Sequence, residues 1–234
     1  MKLTPLIQEG HSRLLLFFAG WAADATPFRQ YRPQLMDYAV VYDYRDLRFD
    51  PSFMDRYSEV HVLGWSMGVW AAGRVLASLT AEQRARIVTT TAFAGSQQPI
   101  DDHEGIPTAT FDATLRGLTP AGLQKFLRRM CGSSTAYRTF MEVTPRRDFG
   151  EIHEELRRIG EQVEAGEQSV TWTYDRAYIG TNDLIFPAAN LQTHYRAMGC
   201  PEVLTMDCAH YDESLFRYLL QERWADDASV HTPS

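Results

Sequence analysis

Residues 61–70 read HVLGWSMGVW, in which Ser66 stands two positions from both Gly64 and Gly68. The pattern G-x-S-x-G follows an apolar run and precedes a stretch of small residues. This spacing is typical of a sharp strand-to-helix turn, where the serine backbone is strained and the glycines let strand and helix approach closely. The sequence therefore predicts a nucleophile elbow at Ser66. The alternative is a glycine–serine turn without chemistry.

Short apolar runs alternate with helix-like segments along most of the chain. Such continuous apolar runs are typical of strands that are buried on both faces of a parallel sheet. We therefore predict an α/β fold, a mostly parallel open sheet with helices on both faces. The predicted strands lie within 13–20, 38–45, 59–66, 86–95, 169–183 and 200–210.

A serine hydroxyl is a weak nucleophile, so it needs a base and a group that orients this base. After an elbow, the acid and the histidine are expected in that order, each on a loop that follows a strand. Asp183 and His210 occupy such positions after the last two predicted strands. They are the predicted acid and base. Asp175 and Asp207 are the alternative candidates for the acid. Asp183 could instead be an exposed turn residue that only caps the following helix.

The other histidines occupy less suitable positions. His61 lies within the strand before the elbow, and His194 lies in the middle of a helix. We expect both to be structural. The other four lie in turn-like, helical or terminal segments: His11, His103, His153 and His231.

Ester hydrolysis at a serine also creates an oxyanion, which needs two backbone N–H donors. One donor is expected from the residue after the nucleophile, Met67, and the other from the loop after an earlier strand. The stretch FFAGWAAD, residues 17–24, supplies such a loop. Gly20 permits a close backbone approach there, so the amide of Trp21 is the predicted second donor.

Charge and cysteine content restrict the function further. The chain has 234 residues and a net charge of −7, which argues against nucleic acid as a main partner. Cys131, Cys200 and Cys208 form no C-x-x-C pair, so we expect no disulfide framework, no metal and no cofactor, and a reducing compartment, the cytoplasm. The apolar run Leu14–Ala23 is too short to span a membrane. It fits a buried strand, or alternatively the core of a signal peptide.

Residues 112–169 interrupt the alternation of strands and helices. A helix is predicted between Thr119, a suitable N-cap, and Gly132, and a second, charged helix follows it. We interpret 112–169 as a helical lid inserted into a single domain that comprises residues 1–234.

Several motifs in order resemble the BioG-type pimeloyl-[acyl-carrier protein] methyl ester esterases of biotin synthesis, which are α/β-hydrolases. They are LLLFFAGWAAD, YDYRDL, VLGWSMGVWAA, PIDDHEGIP and FDATLRGL, and the resemblance extends over about residues 3–220. It implies removal of the methyl ester from pimeloyl-carrier protein, with Ser66 as nucleophile, Asp183 as acid and His210 as base. Ala19-Gly20 stands where many α/β-hydrolases have His-Gly. This change does not remove the oxyanion hole, because its donors are backbone amides.

The expected partner, acyl carrier protein, is acidic and needs a basic docking surface. Residues 112–148 contain seven lysines and arginines but only three acidic residues. An ordinary solvated charged face is the alternative explanation. The residues predicted for docking are Arg116, Lys125, Arg128, Arg129 and Arg138. The predicted acyl pocket contains Trp65, beside the nucleophile, and Phe126, on the apolar face of the lid helix.

Two other functions stay open from the sequence. One is a general small-ester or thioester hydrolase of the same fold. The other is a non-catalytic α/β-hydrolase that binds an acyl ligand. The presence of Ser66, Asp183 and His210 argues against the second function. We expect neither nucleic acid nor a membrane as a partner.

Overall fold

The structure is a computed structural model that describes residues 1–166 and 172–225. Within these residues, one sheet has the strands β1 (Lys2–Ile7), β2 (Arg13–Phe18), β3 (Asp37–Tyr42), β4 (Glu59–Trp65), β5 (Ile87–Phe93), β6 (Arg176–Gly180) and β7 (Glu202–Met206). Their order in the sheet is β1-β3-β2-β4-β5-β6-β7. Only β1 runs antiparallel to its neighbour. Each predicted run contains a strand, whereas β1 was not predicted.

The described helices are α1 (Met67–Ser78), α2 (Ala81–Arg84), α3 (Thr108–Arg116), α4 (Pro120–Cys131), α5 (Ser134–Glu142), α6 (Phe149–Glu164), α7 (Ala188–Ala197) and α8 (Glu213–Leu220). Helices α3 to α6 lie between β5 and β6, where the helical insertion was predicted. They begin at Thr108, four residues before the predicted boundary, because Pro107 occupies the N-cap of α3. The interpretation of these helices as a lid stays a prediction.

The sheet separates two apolar clusters because successive side chains of a strand point to opposite faces. Leu14, Leu16 and Phe18 of β2 belong to one cluster, together with side chains of α1, α6 and α7. Leu15 and Phe17 belong to the other, which α8 covers. Helices therefore cover both faces, as predicted.

The loops after the parallel strands meet at one edge of the sheet, where open α/β sheets place their sites. Short 3₁₀ turns, Thr26–Phe28 and Pro51–Met54, are the only helical elements between β2 and β3 and between β3 and β4. The apolar run that resembled a signal-peptide core forms the interior strand β2 and the loop after it. Among the described residues, no helix is long and apolar enough to cross a membrane.

Candidate active site

Ser66 occupies the sharp turn between β4 and α1. Its backbone has φ 57° and ψ −128°, a conformation that costs about 1–3 kcal/mol for a residue with a side chain. The Ser66 N–H donates to the carbonyl oxygen of Phe93 in β5, at 3.0 Å. A side-chain carbon at Gly68 would lie 2.1 Å from the carbonyl oxygen of Phe18, so this position requires glycine. The turn thus has the geometry that the G-x-S-x-G spacing predicts.

Asp183 and His210 form a buried pair at the ends of β6 and β7. The Nδ1 of His210 donates to the Oδ2 of Asp183 at 2.8 Å. The Oδ1 of Asp183 accepts the backbone N–H groups of Ile185 and Phe186 at 2.7 and 2.9 Å. These contacts hold the carboxylate and the imidazole in a fixed orientation. Because Nδ1 is engaged by the carboxylate, Nε2 is the nitrogen that can act as a base.

Trp65 connects His210 to the elbow. The indole Nε1 of Trp65 donates to the carbonyl oxygen of His210 at 2.9 Å, and the two rings are 5.4 Å apart. On another side, Phe186 stacks on the imidazole with an interplanar angle of 3°. The histidine is therefore held beside the residue that directly precedes Ser66.

The prediction that Trp65 lines the acyl pocket is wrong. Trp65 belongs to the apolar cluster on the face that α8 covers, where it packs on Phe28 and Phe216. The physical reason is the alternation of β4, which directs Trp65 to the same face as Leu63. Trp65 instead supports His210, through the hydrogen bond to its carbonyl oxygen and the contact between the two rings.

The rival acids have other contacts. Asp207 is exposed and accepts the side-chain amide of Asn182 at 2.6 Å. Asp175 accepts both the backbone N–H and the hydroxyl of Thr90, at 2.7 and 2.8 Å. Neither of these contacts involves His210, so Asp183 is the acid that the structure pairs with the histidine.

His61 and His194 occupy structural positions. His61 hydrogen-bonds to Thr89 through Nδ1 at 2.9 Å. His194 is buried in α7, where its Nδ1 contacts Glu104 at 2.7 Å. His231 lies outside the described residues.

The cysteine thiols are poor rivals to Ser66 as nucleophiles. All three are free. Burial raises the pKa of Cys131 and of Cys208, which lies two residues before His210, to about 12. Since the thiolate is the reactive form, both are unreactive at neutral pH.

A narrow apolar pocket opens directly onto Ser66. It encloses about 430 Å³ of empty space, part of which is open to solvent. Phe126, a residue of the predicted acyl pocket, lines it, and its ring meets the indole of Trp21 edge-on at 4.8 Å. Five lining residues are among those singled out from the sequence: Trp21, Ser66, Met67, Phe126 and Arg129. The other six could not be predicted from local patterns: Ile106, Thr110, Phe111, Thr114, Leu156 and Ile185.

The two predicted oxyanion donors lie next to this pocket. Met67 is the first residue of α1, and the first N–H groups of a helix have no partner within the helix. A side-chain carbon at Gly20 would lie 3.1 Å from Cβ of Ser66, so the loop of Trp21 runs directly past the serine. An N–H from each side of Ser66 is what stabilisation of an oxyanion requires.

The five predicted docking residues are exposed on α3, α4 and α5. Arg129 differs from the others, because its guanidinium donates to the carbonyl oxygen of Leu184 at 2.7 Å and lines the pocket. The Arg128 guanidinium lies over the ring of Tyr137. Arg147, which contributed to the basic count of this segment, is buried against Asp43 and Glu155. It therefore adds no positive charge to the surface.

Comparison with known proteins assigns the chain to a family. The family model described as "Pimeloyl-ACP methyl esterase BioG" matches residues 1–221. The chain belongs to the BioG family. The family and the fold together make it an ester hydrolase of the α/β-hydrolase type.

Individual relatives are similar to this chain over most of its length. The crystal structure of BioG from Haemophilus influenzae is 31% identical, with a TM-score of 0.83 over 95% of this chain and 100% of that chain. A Bacteroides fragilis (strain 638R) protein named malonyl-[acyl-carrier protein] O-methyltransferase is 43% identical over 203 residues, which are 87% of this chain and 40% of that protein. An Exiguobacterium antarcticum esterase, 12% identical with a TM-score of 0.63 over 97% and 91% of the two chains, shares the fold alone.

In this BioG-family chain, the motif PIDDHEGIP forms the loop that leads into α3. Asp101 accepts the backbone N–H groups of His103 and Glu104, and Asp102 accepts that of Thr108 at the start of the helix. Ile106, the residue before the N-cap Pro107, lines the pocket. The motif thus fixes one wall of the pocket and the starting point of the helical insertion.

His194 of α7 anchors this loop and makes stability depend on pH. Its Nε2 accepts the backbone N–H of Gln97, and its Nδ1 donates to Glu104. Burial lowers the pKa of His194 below its ordinary value of 6.5, and the hydrogen bond to Glu104 acts in the opposite direction. The unfolded chain therefore takes up the proton first as the pH falls. The contribution of His194 to stability is complete above pH 6.5 and is lost below it.

We expect His194→Gln to flatten the pH dependence of stability. Urea unfolding from about pH 7.5 to about 5.5 should show the wild type losing stability relative to the variant, by at most about 1.4 kcal/mol per pH unit. The exposed His103→Gln is the matched control and should follow the wild type. Parallel curves for His194→Gln and the wild type would contradict this role.

Proposed function

We propose that this protein is a serine esterase that hydrolyses the methyl ester of pimeloyl-[acyl-carrier protein] in biotin synthesis. The observation that carries the proposal is the buried Asp183–His210 pair. Its histidine contacts Trp65, the residue directly before the strained Ser66, which lines an apolar pocket. The family match supports the substrate. We also propose the cytoplasm as its location.

In the proposed mechanism, the Ser66 hydroxyl attacks the ester carbonyl while Nε2 of His210 takes its proton. The amides of Trp21 and Met67 stabilise the oxyanion. The imidazolium, stabilised by Asp183, then protonates the departing methoxide, and methanol leaves. Water deprotonated by His210 hydrolyses the acyl-enzyme and releases a free carboxylate, with the proton returned to Ser66.

The shape of the site supports an acyl chain that is tethered at one end. An open groove between α3 and α4 continues the pocket to the surface. Small residues line much of it, among them Ala113, Gly117 and Ala121. A groove of this kind lets a long thioester arm reach Ser66 from outside. The residues that line both groove and pocket are Thr110, Thr114, Phe126 and Arg129.

The Bacteroides fragilis relative supports a carrier-bound methyl ester. Its name describes an O-methyltransferase that acts on malonyl-[acyl-carrier protein], and only 40% of its length matches this chain. Methylation of a carrier-bound acid produces the kind of ester that an esterase of this type removes. We therefore place the proposed reaction downstream of such a methyl transfer.

The basic surface of the insertion is the proposed docking site for the carrier protein. We expect Lys125→Glu with Arg128→Glu to raise KM for the carrier-bound ester about three- to tenfold at low ionic strength, because two exposed charges are reversed. The effect should fade with added salt, since exposed charges are screened. Turnover of a small soluble ester should not change, because neither residue lines the pocket at Ser66.

Arg29→Glu with Arg196→Glu is the matched control, because both arginines are exposed and lie outside the insertion. Steady-state kinetics on both esters at two ionic strengths decide the result. An equal loss on the two esters, or an equal loss in the control, would reject this surface as the docking site.

Complementation tests the proposed function in the cell. A biotin-requiring bacterial strain that lacks its own methyl ester esterase should grow without biotin when it expresses this chain. Expression of the Ser66→Ala variant should leave the strain dependent on biotin. Failure of the wild-type chain, present as folded protein, would reject the proposed substrate.

A further inference from the structure

Helix α6 of the insertion holds the loop that supplies the proposed second oxyanion donor. The indole Nε1 of Trp21 donates to the carbonyl oxygen of Ile152 at 3.0 Å. The backbone N–H of Ala22 donates to the Oε2 of Glu155 at 3.3 Å. Two successive residues of the loop are thus fixed from one helix, 130 or more positions away in the sequence.

The loop contains a turn that does not suit its own sequence. The N–H of Ala23 donates to the carbonyl oxygen of Gly20 at 3.3 Å, which closes a four-residue turn. Ala22, the third residue of this turn, has φ +66°. A positive φ at this position is typical of a type II turn, which prefers glycine there. An alanine needs an external contact to stay in this conformation, because the left-handed region is unfavourable for it.

Glu155 supplies that contact. Its side chain is fully buried, and its Oε1 accepts the backbone N–H of Tyr44 at 2.8 Å while its Oε2 accepts that of Ala22. The Arg147 guanidinium also donates to Oε2. All three partners donate hydrogen bonds to Glu155, so both carboxylate oxygens must act as acceptors. The N–H of Ala22 belongs to the central peptide of the turn, and its contact with Glu155 fixes the orientation of that peptide.

We propose that Glu155 is a positioning residue for the oxyanion hole, which it sets by holding the turn at Trp21 and Ala22 in its type II form. The torsion that orients the central peptide belongs to Trp21, the residue whose amide is the proposed donor. The central peptide directly follows the residue that carries this amide, so loss of the Ala22 contact frees the backbone next to the proposed donor. This inference rests on the proposed serine mechanism. It makes the helical insertion a part of the catalytic geometry in addition to a cover for the pocket.

Glu155→Gln tests the proposal, because the amide end of glutamine places a donor against one of the N–H groups. We expect kcat per active site to fall about 10- to 100-fold, since misplacement of an oxyanion donor acts mainly on the transition state. KM for a small ester should not change. Affinity for a trifluoromethyl ketone, which forms a tetrahedral adduct with the serine, should fall by the same factor as kcat.

Active sites are counted by the amount of a fluorophosphonate probe bound to Ser66 at completion, so that unfolded protein does not contribute to kcat. Glu154→Gln is the matched control. It makes the same change at the adjacent position of α6, where the side chain is 43% exposed and paired with Arg157. Its kcat per labelled site should equal that of the wild type.

A second substitution distinguishes a positioning role from a merely structural one. Glycine adopts the conformation of Ala22 without strain, so Ala22→Gly in the Glu155→Gln background should restore kcat about fivefold or more. If Glu155→Gln does not fold, Glu155→Asp serves in its place. It keeps the charge near Arg147 but is one methylene too short to reach both N–H groups.

The proposal is overturned if kcat per labelled site equals that of Glu154→Gln, or if Ala22→Gly restores nothing. A loss confined to the number of labelled sites would also overturn it, since that would be a folding defect. Failure of the probe to label Ser66 in the wild-type protein is a separate result, which would reject the serine mechanism itself.

Discussion

Ser66→Ala should lower ester hydrolysis about 10⁴-fold or more while the protein stays folded. The hydroxyl is the only group removed, and the backbone of the elbow is held by the hydrogen bond to Phe93 and by the close approach of Gly68 to β2. Steady-state turnover of a chromogenic ester measures the loss, and thermal unfolding verifies the fold.

Adding His210→Ala to Ser66→Ala should cost little more, because nucleophile and base act as one unit. If Ser66→Ala kept turnover within tenfold of the wild type, the expected loss of about 10⁴-fold would be absent. This result would remove Ser66 from the role of nucleophile.

Asp183→Asn should lower kcat by a comparable factor, about 10⁴-fold. The two carboxylate oxygens of Asp183 accept from backbone N–H groups on one side and from His210 on the other. An asparagine whose oxygen stays with the backbone turns its NH₂ group toward Nδ1. The imidazole must then carry its proton on Nε2, where it cannot take one from Ser66.

Asp207→Asn is the matched control for this change. Asp207 lies in the same region but is exposed and contacts Asn182 instead of the histidine. Its kcat should stay close to that of the wild type. If Asp207→Asn were the damaging change and Asp183→Asn the mild one, the assignment of the acid would be reversed.

The parts of the site that the sequence could predict depend on local patterns. The elbow at Ser66 follows from glycine spacing within five residues. Asp183 and His210 follow from their positions after buried strands, because parallel strands bring their carboxyl ends to one edge. The same logic predicted the strands of the parallel sheet from their apolar runs.

Two errors arose where that logic does not apply. Trp65 was assigned to the pocket because it adjoins Ser66 in sequence, yet the alternation of a strand directs it to the opposite face. The strand β1 was missed because it is a half-exposed edge strand that contains Pro5, so it lacks a continuous apolar run.

The support of the oxyanion loop could not be predicted from one sequence. Glu155 is one of five glutamates in the sixteen-residue helix α6, and no motif marks it as the one that contacts the loop of Trp21 and Ala22. Its contact with Ala22 joins residues 133 positions apart. Only the packing of α6 against the loop identifies which of these carboxylates is buried.

The proposed reaction is removal of the methyl ester of pimeloyl-[acyl-carrier protein] through Ser66. Mass spectrometry of the intact carrier protein, after incubation with the enzyme, tests it most directly. We expect a carrier protein that is lighter by one CH₂, with release of methanol, for the wild type and not for Ser66→Ala. Loss of the whole acyl group would instead indicate a thioesterase, and an unchanged mass would contradict the proposed substrate.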